Sequence, residues 1–303
     1  MEFPADAQIY VDNDGGPNSG ILEFSLSGQK NSSFYIPEDF PATFAVSGNL
    51  LYAVSEPLGA NSDSLSVYNA STGSLLQSNL ITGLASYSMA VSGNDLYIGS
   101  NVGTVGIFNA STGSFEDLVA GSSYITRFAV GGNTLYGVEQ SSPGSYTYNI
   151  YTFNATTGAQ TSSTPLVTGL YGASDSRPVV SGNLLYVESQ GPIVGNYYSA
   201  GSIGVYNATT GAPINASLLT GLSDPTNLSL YGNDLFVDTD DVVQEYTTSG
   251  VLVSSNVLPN FDGGILDLAV APEPSTNAML VVGLGLLAFL GIRSRRVRRG
   301  DLL

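Results

Sequence analysis

Carboxylates are the only plentiful reactive side chains in this sequence, and they recur in a pattern. Asp12-Asn13-Asp14 follows one short apolar run, residues 9–11, and Asp238-Thr239-Asp240-Asp241 follows another, residues 235–237. Glu56, Glu139 and Glu188 come after comparable runs. Carboxylate and carbonyl oxygens gathered in one place are what Ca²⁺ takes as ligands. Asp12, Asp14, Asp238, Asp240 and Asp241 are therefore candidate Ca²⁺ ligands. Asp12-Asn13-Asp14-Gly15-Gly16 begins like a calcium loop, but no Glu follows at the spacing of a bidentate ligand. The same acids also fit a solvated rim that keeps the chain soluble, and both readings suit the sequence. Two carboxylates about 5–10 Å apart suffice for glycoside hydrolysis. A calcium-dependent carbohydrate-active or lactone-hydrolysing enzyme is thus the alternative function.

Composition argues against catalysis. The 303 residues contain no Cys, His or Trp, so a Ser-His-Asp triad, a Cys-His dyad and a conventional structural zinc site are all excluded. No acid stands in an apolar setting that would hold its pKa up, so the expectation is a non-catalytic binding protein. Acids outnumber bases by 25 to 8, and five of the bases are Arg293, Arg295, Arg296, Arg298 and Arg299. Residues 1–271 keep 23 acids and 3 bases. A surface of that sign repels phosphate backbones, which excludes nucleic acid as a partner.

The elements that carry these residues are repeats. A Gly-Asn pair between apolar residues and an aromatic strand occurs at residues 46–52 and identically at 180–186, with variants at 91–97, 130–136 and 230–236. An aromatic followed by Asn-Ala-Ser/Thr-Thr-Gly occurs at 68–73, 108–113, 153–158 and 206–211. The glycines of this second motif and its weaker copies, 28, 73, 113, 158, 211 and 250, stand 39 to 53 residues apart. A period near 45 with alternating apolar residues is that of a four-stranded propeller blade. In the first full unit, residues 44–46, 50–54, 65–68 and 75–81 are the expected strands, innermost first. An open β-solenoid fits less well, because its period is shorter.

The chain begins in the second strand of a unit (9–11) and ends its repeats in a first strand (268–270), so the two fragments together make one blade. The expected fold is all-β, a six-bladed β-propeller whose N- and C-terminal strands join. Seven blades are possible if more sequence precedes. The units differ in length mainly between their second and third strands. Binding residues favour variable loops on a rigid scaffold, so that face is the candidate ligand site. It carries Glu56, Glu139 and Glu188, together with Tyr146, Tyr148, Tyr197 and Tyr198 in or beside the two longest loops. Aromatic, Ser-rich loops suit a saccharide or protein ligand. Tyr52, Tyr97, Tyr136 and Tyr186 recur with the repeat and fit packing between blades. Asn69, Asn109, Asn154 and Asn207 head glycosylation-like triplets, yet all occupy one turn, where Asn serves the backbone.

The C-terminal end has a different character. Residues 278–292 form an uncharged run, short for a bilayer core of about 20 residues but followed at once by the arginine cluster. That order predicts a transmembrane helix with its arginines on the cytoplasmic side and residues 1–271 outside. Pro272-Glu273-Pro274-Ser275-Thr276, the apolar run and the arginines resemble, in order and spacing, the PEP-CTERM sorting signal of Gram-negative bacteria. The resemblance covers about the last 30 of 303 residues. It implies export, transient anchoring in the inner membrane, and processing near Pro272, Glu273 and Pro274 by an exosortase-type enzyme. The mature form would then lie at the cell surface or in the extracellular matrix, where exopolysaccharide or a surface protein is the expected partner. Ala5-Asp6-Ala7 before Gln8 has the small-x-small form of a signal-peptidase site, so residues 1–7 read as the end of a signal peptide. Three segments result: 1–7, an ectodomain at 8–271, and a sorting signal at 272–303.

Overall fold

The computed structural model describes residues 7–13, 19–37, 41–55, 63–84, 86–100, 104–109, 114–120, 125–173, 177–194, 197–240, 242–258 and 264–272. Within these, every regular element is a β-strand. Blade one begins with β1 (Ala7–Asn13), β2 (Gly20–Ser25) and β3 (Ile36–Pro37). Blade two comprises β4 (Pro41–Ser47), β5 (Leu50–Ser55), β6 (Asp63–Asn69) and β7 (Leu75–Leu84). Blade three comprises β8 (Ser86–Ser92), β9 (Asp95–Ser100), β10 (Thr104–Asn109) and β11 (Ser114–Ala120). Blade four follows with β12 (Ile125–Gly131), β13 (Thr134–Gln140), β14 (Thr147–Asn154) and β15 (Val167–Tyr171). Blade five has β16 (Val179–Ser181) and β17 (Leu184–Ser189), a small hairpin of β18 (Ile193–Val194) and β19 (Tyr197–Tyr198), then β20 (Gly201–Asn207) and β21 (Pro213–Leu222). Blade six is β22 (Pro225–Tyr231), β23 (Asp234–Thr239), β24 (Val242–Thr247) and β25 (Leu252–Ser254). Last, β26 (Ile265–Pro272) pairs antiparallel with β1, Ile9 opposite Val270 and Val11 opposite Leu268. The result is six four-stranded antiparallel sheets in a six-blade propeller arrangement.

The repeated turns explain the repeated sequence. Gly48, Gly93, Gly132, Gly182 and Gly232 each hold φ between 56° and 63° at the first of two turn residues joining the inner pair of strands. A two-residue hairpin of this kind needs positive φ there, and its twist matches that of the strands. In the second motif, the Asn207 side-chain oxygen accepts from the backbone N–H groups of Thr209 and Thr210 at 3.0 and 2.9 Å. Asn154 does the same for Thr156 and Thr157. Thr209 then bonds the Asn183 side chain of the neighbouring turn at 2.9 Å. Both turns thus lie on one face, hereafter the turn face, stitched together by the Asn residues.

Blades interlock through one aromatic position on the second strand. Tyr10, Tyr52, Tyr97, Tyr136, Tyr186 and Phe236 are all at most 5% exposed. Each enters a core cluster shared with the following blade. Tyr52 meets Met89, Leu96 and Ile98 of blade three, and Tyr186 meets Leu228, Leu235 and Val237 of blade six. Phe236 of blade six packs with Ile9, Val11 and Leu268 of blade one, and Tyr10 of blade one with Phe44 and Leu51 of blade two. The tyrosines expected between blades are there.

Candidate functional site

A solvated loop rim is one of the two readings of the chain's acids. Asp12, Glu139, Glu188 and Asp238 are instead 0–3% exposed, because each ends a second strand that is flanked by strands on both sides. The expectation that no acid has a setting that holds its pKa up fails at Glu245, where burial first and Asp234 second push it up. Asp240 is exposed. Asp14, Glu56 and Asp241 lie outside the described residues, as do Glu273, Pro274 and the five arginines of the tail.

One register level of the innermost strands is polar in every blade, a feature missed from sequence. Asp267, Thr43, Ser88, Arg127 and Asn227 stand opposite Asp12, Val54, Gly99, Val138 and Asp238 on the second strands. Arg177 precedes Val179 by two residues, the same offset by which Asn227 precedes Ser229. In blades one, two, three, four and six the register shifts immediately beyond this level. Such bulges bend a strand and re-aim its side chains. The signal was present in the sequence, always two residues before the position facing the aromatic, but it is spread over five residue types.

Arg177, from blade five, donates to Asp267 Oδ2 of blade one at 2.8 Å and to Thr43 Oγ1 of blade two at 3.0 Å. Blades five and two are three apart among six, so this side chain crosses the centre of the molecule. Asp267 also accepts from Thr43 Oγ1, from the Phe44 N–H and from its own neighbour Leu268 N–H. Four donors around one carboxylate fix it in place. Asp238 accepts from Thr226 Oγ1 at 2.8 Å and from Asn227 Nδ2 at 3.2 Å. Among the described residues, no three acids gather closely enough to hold a metal ion.

Off the centre lie two adjoining grooves of about 620 and about 590 Å³ that share Gly221, Leu222, Ser223 and Asp240 at the loop face, the first continuing along blade six past Gln244 and Tyr246. The second runs between blades five and six, past Gln190, Tyr198, Ser199 and Asp224. Its wall is built by the hairpin β18–β19, which the length of this loop allows. Ile193, Val194 and Tyr198 of that hairpin are 40%, 70% and 40% exposed. Gln190 anchors the floor, donating through Nε2 to Asp224 Oδ1 and to the Pro225 carbonyl, both at 2.8 Å. Asp224 and Asp240 hold φ of 41° and 52°, a left-handed backbone that Asp tolerates better than most residues.

The expected ligand-face residues divide accordingly. Tyr146 is 60% exposed and Tyr198 40%, as loop aromatics. Tyr148 lies on β14 and is buried beside Val138 and Ile150, because the strand runs further towards the loop than its polar sequence suggested. Glu139 and Glu188 are buried strand residues. The side chain of Tyr197 is outside the described set.

Comparison with known proteins bears on the tail. Residues 270–296 match the PEP-CTERM protein-sorting motif. The chain therefore carries the signal of an exported, membrane-anchored precursor that an exosortase-type enzyme processes. No curated protein matches the chain. Among solved structures it is similar to the computationally designed Ika8 protein, at 17% identity and a TM-score of 0.47, over 84% of this chain and 76% of that one. The blade count above rests on strand pairing alone.

Proposed function

We propose that the mature protein is a non-catalytic component of the cell surface or extracellular matrix of a Gram-negative bacterium, and that it binds a saccharide through its loop face. In this reading residues 278–292 span the inner membrane in the precursor, with Arg293, Arg295, Arg296, Arg298 and Arg299 on the cytoplasmic side. The β1–β26 pair closes the propeller ring, so the folded domain leaves no long edge exposed. The observation that carries the binding reading is the groove of about 590 Å³ beside Tyr198. An exposed aromatic ring suits the C–H face of a pyranose, while Asp224, Asp240, Ser199 and Ser223 accept its hydroxyl protons. Its charged lining groups are acids, so the ligand is neutral or amine-bearing, and uronic acids are disfavoured. A glycan array probed with residues 8–271 tests this. Binding to neutral or amino sugars, weakened at least tenfold by Tyr198→Ala, is the expected result. Binding to protein ligands alone would overturn it.

A second reading draws on the sheltered carboxylates. Asp12, Glu188 and Asp238 occupy one register in three successive blades; since no three described acids are close enough to hold Ca²⁺ together, a calcium-dependent glycoside- or lactone-hydrolysing site there draws its remaining ligands from backbone carbonyls and water. Turnover of such substrates that depends on Ca²⁺ and disappears in Glu188→Gln would replace the first reading.

A further inference from the structure

Strand direction determines where the tail leaves the domain. β26 starts beside the loop face and ends at the turn face, since Ile265 pairs with Asn13, the last residue of β1, and Pro272 with Ala7, the first. The sorting motif begins inside this strand: Val270, Ala271 and Pro272 are paired with Ile9, Gln8 and Ala7. Only residues 273–277 separate the paired strand from the apolar run at 278. Fully extended, that tether reaches about 20 Å, roughly the length of one second strand of a blade.

Charge is distributed along the same axis. Of the described acids, eight (Asp12, Asp63, Glu139, Glu188, Asp224, Asp238, Asp240 and Asp267) lie on the loop face or at strand ends beneath it. Asp95 and Asp234 lie at the turn face, where Asn109 Nδ2 bonds Asp95 at 2.6 Å; Glu116 and Glu245 lie two residues inside that end of their strands, and Glu23 and Asp117 lie in mid-strand. The turns there are built from Gly, Asn, Ser, Thr and Ala. A bilayer bearing anionic lipids repels the more acidic face more strongly than the other.

We infer that the anchored precursor stands with its turn face against the membrane and its groove face directed away. This rests on the reading of residues 278–292 as the membrane span. The groove is then accessible before processing as well as after, and the processing enzyme meets its substrate beneath the Gly-Asn and Asn-Ala-Thr-Gly turns. The orientation also gives the even turns a role besides folding, as the flat side that a short tether can draw close to lipid.

The chain contains no Cys, so one introduced thiol takes a fluorophore at one place. Full-length Ser181→Cys, at the exposed turn-face end of β16, and Ser142→Cys, on an exposed loop of the opposite face, are reconstituted into vesicles containing one-fifth anionic lipid and a headgroup-linked energy acceptor. The expected result is co-flotation of both proteins with the vesicles and several-fold stronger quenching at residue 181 than at 142. Equal or reversed quenching in co-floating protein overturns the orientation and leaves the span standing. Failure to co-float overturns the span itself, and the orientation with it. Matching thermal unfolding of the two variants in detergent shows that neither substitution has disturbed the fold.

Discussion

Arg177 shows how much a single side chain can carry here. It is one of three basic residues before the tail, and it joins blade five to blades one and two. Replacing it with Met leaves the buried Asp267 short of a counter-charge, which costs about 3 kcal/mol in comparable pairs. The measurable outcome is an unfolding midpoint in urea lowered accordingly, while Lys30→Met, exposed at the edge of blade one, leaves it unchanged. Glu245 behaves oppositely. Burial first, and Asp234 second, raise its pKa above 4.5. A carboxyl with a raised folded pKa stabilises the fold below the unfolded value and loses that contribution as pH rises. Glu245→Gln is therefore expected to raise the melting temperature at pH 7, with the advantage vanishing below about pH 4, as scanning calorimetry at both pH values would reveal.

At the scale of the strand and turn, the two glycine motifs look equivalent in sequence and differ in consequence. Gly182 has φ +57° and open space where a Cβ would go. Gly211 has φ +70°, and a Cβ there would come within 1.9 Å of the Leu166 carbonyl oxygen in the preceding blade. Alanine at 182 meets only the left-handed penalty of about 1 kcal/mol. Alanine at 211 must also push the two blades apart, so its cost is expected to exceed the first by about 2 kcal/mol or more. Equal losses in chemical denaturation of the two variants would show that the blades yield easily. The repeat motif was plain in sequence because a hairpin turn is a local device. The blade-to-blade contact was not, since Leu166 and Gly211 are neighbours only after folding.

At the scale of the molecule, blade one depends on both ends of the chain. A chain ending at Gly264 lacks β26 and leaves β1 unpaired on its inner side. Cooperative unfolding should be lost and self-association should appear, measured by calorimetry and by sedimentation, whereas a chain ending at Pro272 keeps both properties. Alkaline pH tests the interlocking aromatics together. Burial raises the pKa of Tyr52, Tyr97, Tyr136 and Tyr186 above 10.0. The unfolded chain ionises first, so stability is complete below about pH 10 and declines above it. The melting temperature should fall in that range together with the appearance of tyrosinate absorbance.

Whatever depends on neighbours in the chain could be read from the residues in order: the strand period, the turn glycines, the capping asparagines, the aromatic at each blade interface and the PEP-CTERM motif. Such features arise from backbone φ, side-chain alternation and short spacing, all of which are local. Whether Glu139 and Glu188 are solvated or sheltered, whether Tyr148 points to a ligand or to the core, and which acid receives Arg177 were decided only when the blades came together. Burial and charge pairing depend on what the rest of the molecule places alongside a residue, and Arg177 and Asp267 are 90 positions apart. The face from which the tail leaves was likewise set by the pairing of Pro272 with Ala7, because a strand acquires a direction relative to the whole only within its sheet.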